Sequence, residues 1–199
     1  PVWNIISMGL AELRKFVDDN EAAEQKLRHL SATMAAKEYA RLGWEPNAGE
    51  SEEDTKLRST MIALSLYGEV PEALAKAKDI YASTPIADLG PELRSLIISS
   101  VARHGDTSTV NELMQAYRAT QSVDLRQDIS IGVTSTRVPA KITELLNYMK
   151  DPAIVRPQDV FRWFVYLIRG RDSRDLAWQW IRDNWDWVEA TFAGDKSYD

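Results

Sequence analysis

Carboxylates are the most frequent chemistry-bearing groups in this chain. Glu52, Glu53 and Asp54 are consecutive, Asp18 and Asp19 are adjacent, and Asp183 and Asp186 lie one helical turn apart. Paired acids can share general-acid and general-base work when their surroundings drive their pKa values apart. Acids at helix starts also complement the helix dipole, and that structural reading is preferred for all three groups. The two histidines, His29 and His104, are far apart in sequence and form no His-Glu-x-x-His pair. His29 is expected to face solvent, and His104 to favour the dipole at a helix C-terminus. Glycine-rich phosphate loops and the Gly-x-Ser-x-Gly nucleophile turn are absent from the sequence. Cysteine is absent altogether, which excludes disulfides, thiolate nucleophiles and sulfur-ligated metals.

Two further groups could recognise a ligand. Arg156, Arg162, Arg169, Arg171, Arg174 and Arg182 crowd the last third, interleaved with Asp159, Asp172, Asp175, Asp183 and Asp186. Surface ion pairs of little net worth account for most of them; an arginine aimed at a peptide carboxylate is the sharper alternative. Four of the seven tryptophans fall within residues 176–192. Trp178, Ile181, Trp185, Val188 and Phe192 share one helical face, and Trp180 and Trp187 point the other way. Trp163, Tyr166, Trp178 and Trp185 are therefore assigned to the core, and Trp180 and Trp187 to an interface with a missing segment. Burying one tryptophan is worth about 4–6 kcal/mol as an upper bound. A helix with tryptophan on both faces, and a chain without an initiator Met, lead to the expectation of an excised piece of a larger protein.

The elements that must position these residues are helical. Leu57, Met61 and Leu64 recur at helical spacing, as do Leu93, Ile97 and Ser100, and Phe161, Phe164, Val165 and Ile168. Residues 129–133 alternate too briefly for a strand. Pro71, Pro91, Pro139 and Pro157 stand at helix starts. Ser51 opens a capping box with Asp54, and Asp106, Ser122 and Asp172 are expected N-caps. Gly43, Gly68, Gly105 and Gly170 are expected to end helices in a left-handed conformation.

These signals predict ten helices, at 3–17, 21–42, 53–67, 71–82, 91–103, 107–119, 123–134, 139–149, 157–169 and 173–192. Turn motifs recur at uneven spacings in the thirties, the length of a helix hairpin. The expected fold is all-α, a HEAT/armadillo-like solenoid of antiparallel helix pairs. Residues 1–45 form the first pair, and 46–199 the stacked pairs beyond the irregular stretch Gly43–Glu50. The charge of −6 is mixed along the chain, without the basic stripe that neutralises phosphates, so nucleic acid is not an expected partner. No apolar run is long enough to span a membrane, and no secretion signal precedes the first helix, so a cytoplasmic location without membrane contact is expected.

Five stretches in order resemble the C-terminal helical domain of M1-family zinc aminopeptidases. That group includes the puromycin-sensitive, glutamyl and endoplasmic-reticulum enzymes and the fungal enzymes close to them; a fungal-type member is expected. The stretches are Val2-Trp3 with Leu10 and Leu13; Leu42-Gly43-Trp44-Glu45-Pro46 with Gly49-Glu50-Ser51, Asp54 and Leu57-Arg58-Ser59; Pro91-Glu92-Leu93-Arg94 with Val101-Ala102-Arg103-His104-Gly105-Asp106; Arg156-Pro157-Gln158-Asp159-Val160; and Leu176-Ala177-Trp178 with Asn184-Trp185. The resemblance implies a non-catalytic domain that closes over the cavity of an upstream catalytic domain of the same polypeptide. That domain would hold zinc and remove N-terminal residues from peptides; no cofactor is expected in these 199 residues. In some relatives a basic residue before a late helix receives the peptide C-terminus. The matching position is Ser135, with Arg137 two residues on. A stand-alone α-solenoid that scaffolds other proteins is the alternative.

Overall fold

A computed structural model describes residues 2–17, 19–46 and 48–193. Asp18 of the first acidic pair, Asn47 of the irregular stretch, Pro1 and residues 194–199 lie outside the described residues. Every regular element among the described residues is a helix, in agreement with the expected all-α class. There are eleven: α1 (Val2–Val17), α2 (Glu21–Leu42), α3 (Glu52–Tyr67), α4 (Pro71–Ser83), α5 (Pro91–His104), α6 (Thr107–Ala119), α7 (Val123–Val133), α8 (Pro139–Tyr148), α9 (Pro157–Arg169), α10 (Arg174–Asp183) and α11 (Trp185–Phe192). The extra helix comes from a break at Asn184, whose Nδ2 donates to the Trp180 carbonyl at 2.8 Å and caps α10. The chain divides into two compact units, Pro1–Ile97 and Ile98–Asp199.

In the first unit α1, α2 and α3 pack around Leu10, Leu27, Ala35, Leu42, Met61 and Leu64. Ser51 caps α3 as expected, its Oγ accepting from Asp54 N at 3.1 Å. Asp54 is engaged by Arg41, whose Nη2 lies 2.6 Å from Asp54 Oδ1. The irregular stretch is pinned from α3. Arg58, only 3% exposed, is ion-paired with Glu50 and donates from Nε to the Leu42 carbonyl at 3.3 Å. Trp44 closes the turn, donating from Nε1 to Tyr39 Oη at 2.8 Å. A second network joins the three helices. Arg28 reaches Glu24 Oε1 at 2.9 Å and is also paired with Glu69. Tyr67 Oη donates to Glu24 Oε2 at 3.1 Å, while the Arg14 guanidinium lies 3.5 Å from the Tyr67 ring centre.

In the second unit α7, α8, α9 and α10 bury Ile129, Ile142, Leu145, Trp163 and Leu167, and α6 packs on α7. Asp106 and Ser122 cap α6 and α7 as expected. The buried stripe of α9 is Val160, Trp163 and Leu167, which corrects the expected stripe beginning at Phe161. Phe161 is 44% exposed; Phe161 and Phe164 meet the Phe192 ring of α11 at 6.0 and 5.7 Å.

The glycine expectation holds only in part. Gly43 has a positive φ of 59°, whereas Gly68 and Gly170 have φ of −67° and −69°. Gly105 is not among the positive-φ glycines either. Close approach governs Gly68, where an added Cβ would meet Ala32 Cβ at 2.7 Å and the Arg28 carbonyl at 2.9 Å. The left-handed step passes to Glu69, at φ 52°.

Two outcomes follow. Arg58→Ala strands a buried Glu50 carboxylate and should destabilise the protein by about 3–5 kcal/mol in urea unfolding, whereas Glu50→Gln with Arg58→Met should recover most of that loss. Burial, aided by the Glu24 charge, pushes the Tyr67 hydroxyl up to about 12. Its contribution is complete below the unfolded-state value near 10 and is lost as pH rises through about 12. Unfolding followed over that window should show a shallower alkaline decline for Tyr67→Phe.

Candidate functional site

One concave site lies in the second unit. It is a cleft of about 250 Å³ between the last turn of α5, the α7–α8 turn, the end of α9 and the loop before α10. Arg103, Ile131, Ser135, Tyr166, Arg169, Arg171 and Asp172 are among the residues that line it.

Local chemistry shapes each wall. Hydroxyl residues end α7 by bonding back to its carbonyls: Thr134 Oγ1 donates to Ser130 O at 2.8 Å and Ser135 Oγ to Ile131 O at 3.1 Å. Thr136 Oγ1 accepts from Val138 N at 3.2 Å and sets the turn into α8, where Pro139 takes the first helical position. On the opposite wall the buried Ser173 Oγ donates to Leu167 O at 2.6 Å. A Cβ at Gly170 would sit 2.3 Å from that Oγ, so only glycine allows the loop to fold back.

Asp172 occupies the mouth. It lies 3.0 Å from Arg103 Nη2 and 3.7 Å from Arg137 Nε. This corrects its assignment as the N-cap of the following helix: Ser173 holds that position, and Asp172 faces the arginines. Arg103 and Arg137 thus reach one aspartate, and Arg169 and Arg171 line the same cleft. Guanidinium forks and the Ser135 hydroxyl suit a carboxylate presented end-on, and Tyr166 supplies an aromatic wall. Among the described residues no nucleophile–base pair lines the cleft. No group of three or more metal-ligating side chains occurs among the described residues, and both histidines are exposed, so these residues do not fit a zinc site.

The two residues predicted to meet a peptide end are both at this place: Ser135 lines the cleft, and Arg137 joins it through Asp172. Arg103 and Tyr166 were not singled out for this role. Arg103 carries no local signal, because its partner Asp172 comes from a distant loop.

The tryptophans fall differently from the sequence reading. Trp180 is 7% exposed and donates from Nε1 to Asn147 Oδ1 of α8 at 2.9 Å. Trp187 is half-buried and meets the Trp180 ring edge-on at 5.5 Å. Trp178 and Trp185, expected in the core, are 55% and 48% exposed. The break at Asn184 ends the single helical register on which that expectation rested. In addition, α10 approaches α8 and α9 through small Ala177, placing Trp180 and Ile181 inward with it.

A second depression, in the first unit, is lined by Tyr39, Arg41, Trp44, Glu72, Lys76 and Asp79. Its charges are mixed, and Arg41 is already paired with Glu38 and Asp54.

Known proteins identify the class. The family described as "ERAP1-like C-terminal domain" matches residues 1–199. Aminopeptidase N of Lactococcus lactis subsp. lactis (strain IL1403) is 35% identical over 201 residues, covering 98% of this chain and 23% of that protein. Aminopeptidase N of Lactobacillus delbrueckii subsp. lactis is 31% identical, covering 94% of this chain and 22% of the relative. Aminopeptidase 2 of Candida albicans is 26% identical over 94% of this chain and 21% of the relative. The chain belongs to the ERAP1-like C-terminal domain family, the C-terminal helical domain of M1 aminopeptidases. It spans under a quarter of the length of these curated relatives.

The corrected tryptophan register is measurable. Trp180→Ala should cost about 3–5 kcal/mol in denaturant unfolding, and Trp178→Ala should stay within about 0.5 kcal/mol of the parent.

Proposed function

We propose that this chain is the non-catalytic closing domain of a zinc aminopeptidase. An upstream domain of the same polypeptide would hold the metal and remove N-terminal residues. This domain would cover the reaction cavity, exclude water and hold the far end of the peptide. Zinc supplies a polarised water for peptide hydrolysis in such enzymes. The residues of this chain would contribute positioning alone. A cytoplasmic location, with no nucleic-acid or membrane partner, belongs to the same proposal; no described helix is long and apolar enough to cross a membrane.

The observation that carries the proposal is the arginine-lined cleft beside Ser135. A peptide carboxylate entering there meets Arg103, Arg169 and Arg171. Asp172 already bonds Arg103 as a carboxylate would, so it competes with an incoming one and sets its affinity. Arg137, drawn to Asp172, orients it from the side.

The test uses the full-length polypeptide that carries this chain. Peptides with a free C-terminal carboxylate are compared with their amides and with a one-residue aminoacyl anilide too short to reach the cleft. Arg103→Ala should raise KM for the free acids by about tenfold or more, the worth of a charge-assisted hydrogen bond, with the amides and the anilide unchanged. Asp172→Asn should lower KM for the free acids. Equal responses of acids and amides would remove the carboxylate role, and a full-length polypeptide without aminopeptidase activity would remove the enzyme assignment.

A further inference from the structure

The first helix, α1, is apolar on two sides. Its inner face carries Leu10, 5% exposed, with Trp3, Ile6 and Val17 against the core. Its outer face carries Val2, Ile5, Met8, Leu13 and Phe16, at 67%, 72%, 69%, 48% and 83% exposed. At helical periodicity these five share a single side, and Gly9 lies among them with nothing within 4 Å of where a Cβ would stand. Glu12 and Lys15 pair on this helix at 2.7 Å, so together they add no net charge to it. A helix needs only one apolar stripe to pack on a core, and the outer face of α1 adds a second. None of these exposed side chains is needed to hold α1 to α2 and α3.

We infer that the outer face of α1 is the seat on which the preceding part of the same polypeptide docks. Family membership places this chain in a C-terminal domain, and its relatives extend for roughly three-quarters of their length outside the match. The helix nearest that remainder in sequence is α1. The size of the stripe argues against a second copy as its occupant. Five such side chains offer on the order of 400 Å², about half of what each partner gives to a stable free-standing interface. A covalently tethered partner needs less, because its effective concentration is already high. The Gly9 notch would receive one protruding side chain of that partner. The inference rests on family membership and not on the carboxylate cleft, so the two fail separately.

Methionine oxidation reads this directly, because sulfoxide formation follows exposure. In the full-length polypeptide, Met8 should oxidise as slowly as Met61, which is 0% exposed in the core of the same unit. Hydroxyl-radical labelling of Phe16 should fall several-fold below the rate its exposure dictates. Ile5→Glu with Phe16→Glu, both at surface positions that leave α1 folded, should restore rapid Met8 oxidation and split the thermal unfolding of the full-length polypeptide into separate transitions. Rapid Met8 oxidation in the unaltered full-length polypeptide overturns the inference. Protection that disappears on dilution to monomer overturns it too, in favour of a second copy.

Discussion

A guanidinium with almost no access to water holds the first unit together. Arg58 leaves α3, reaches the last carbonyl of α2 at Leu42, and pairs with Glu50 at the end of the irregular stretch. A buried charge is tolerated only when its donors find acceptors, and a helix C-terminus has carbonyls to spare. The pair therefore joins two helices across the irregular stretch between them. The α2–α3 contact, the largest in the unit, then permits the Ser31–Ala35 face of α2 to lie close to α3, with Gly68 accepted against Ala32. Once that contact is made, Tyr67 meets Glu24 and Arg14, and α1 is held as well.

The stretches that resemble the M1 family do similar structural work elsewhere. Arg94 donates from Nε and Nη2 to the Leu89 carbonyl at 3.1 and 3.0 Å, fixing the turn into α5. Asp159 answers Arg156 at 2.7 Å across the first turn of α9. Asn184 ends α10. None of these residues is arranged to break a bond. They keep helix ends in place, and the ends of α5, α7 and α9 in turn make a cleft. Helix C-termini attract cations, so arginines at the ends of α5 and α9 are stable there without a ligand. Arg103 from the end of α5 and Arg137 from the α7–α8 turn meet Asp172, and Arg169 at the end of α9 lines the same cleft.

Much of this was legible beforehand because capping and periodicity are local. Ser51, Asp106 and Ser122 each bond a backbone N–H two or three residues ahead, so their helices could be placed from the sequence. Ser135 and Arg137 were named from a resemblance, and both adjoin the cleft. Asp172 looked like a helix cap because the local pattern suits one; its actual partners come from α5 and the α7–α8 turn. The glycines at 68 and 170 looked like left-handed stops, yet the atoms that exclude a side chain belong to α2 and to Ser173.

The sequence by itself determined the all-α class, ten of the helix starts and the lack of any cysteine chemistry, because each rests on spacing within a few turns or on a residue type absent from the chain. Only the tertiary structure decided which tryptophans are inside. Trp178 and Trp180 flank the apolar stripe of α10, and the choice between them depends on Ala177 allowing close contact with α8 and on Asn147 accepting from the Trp180 indole. It also decided that Arg103, Ser135 and Asp172 share a cleft, because contacts between residues so far apart in sequence arise only when the helices that carry them are packed together.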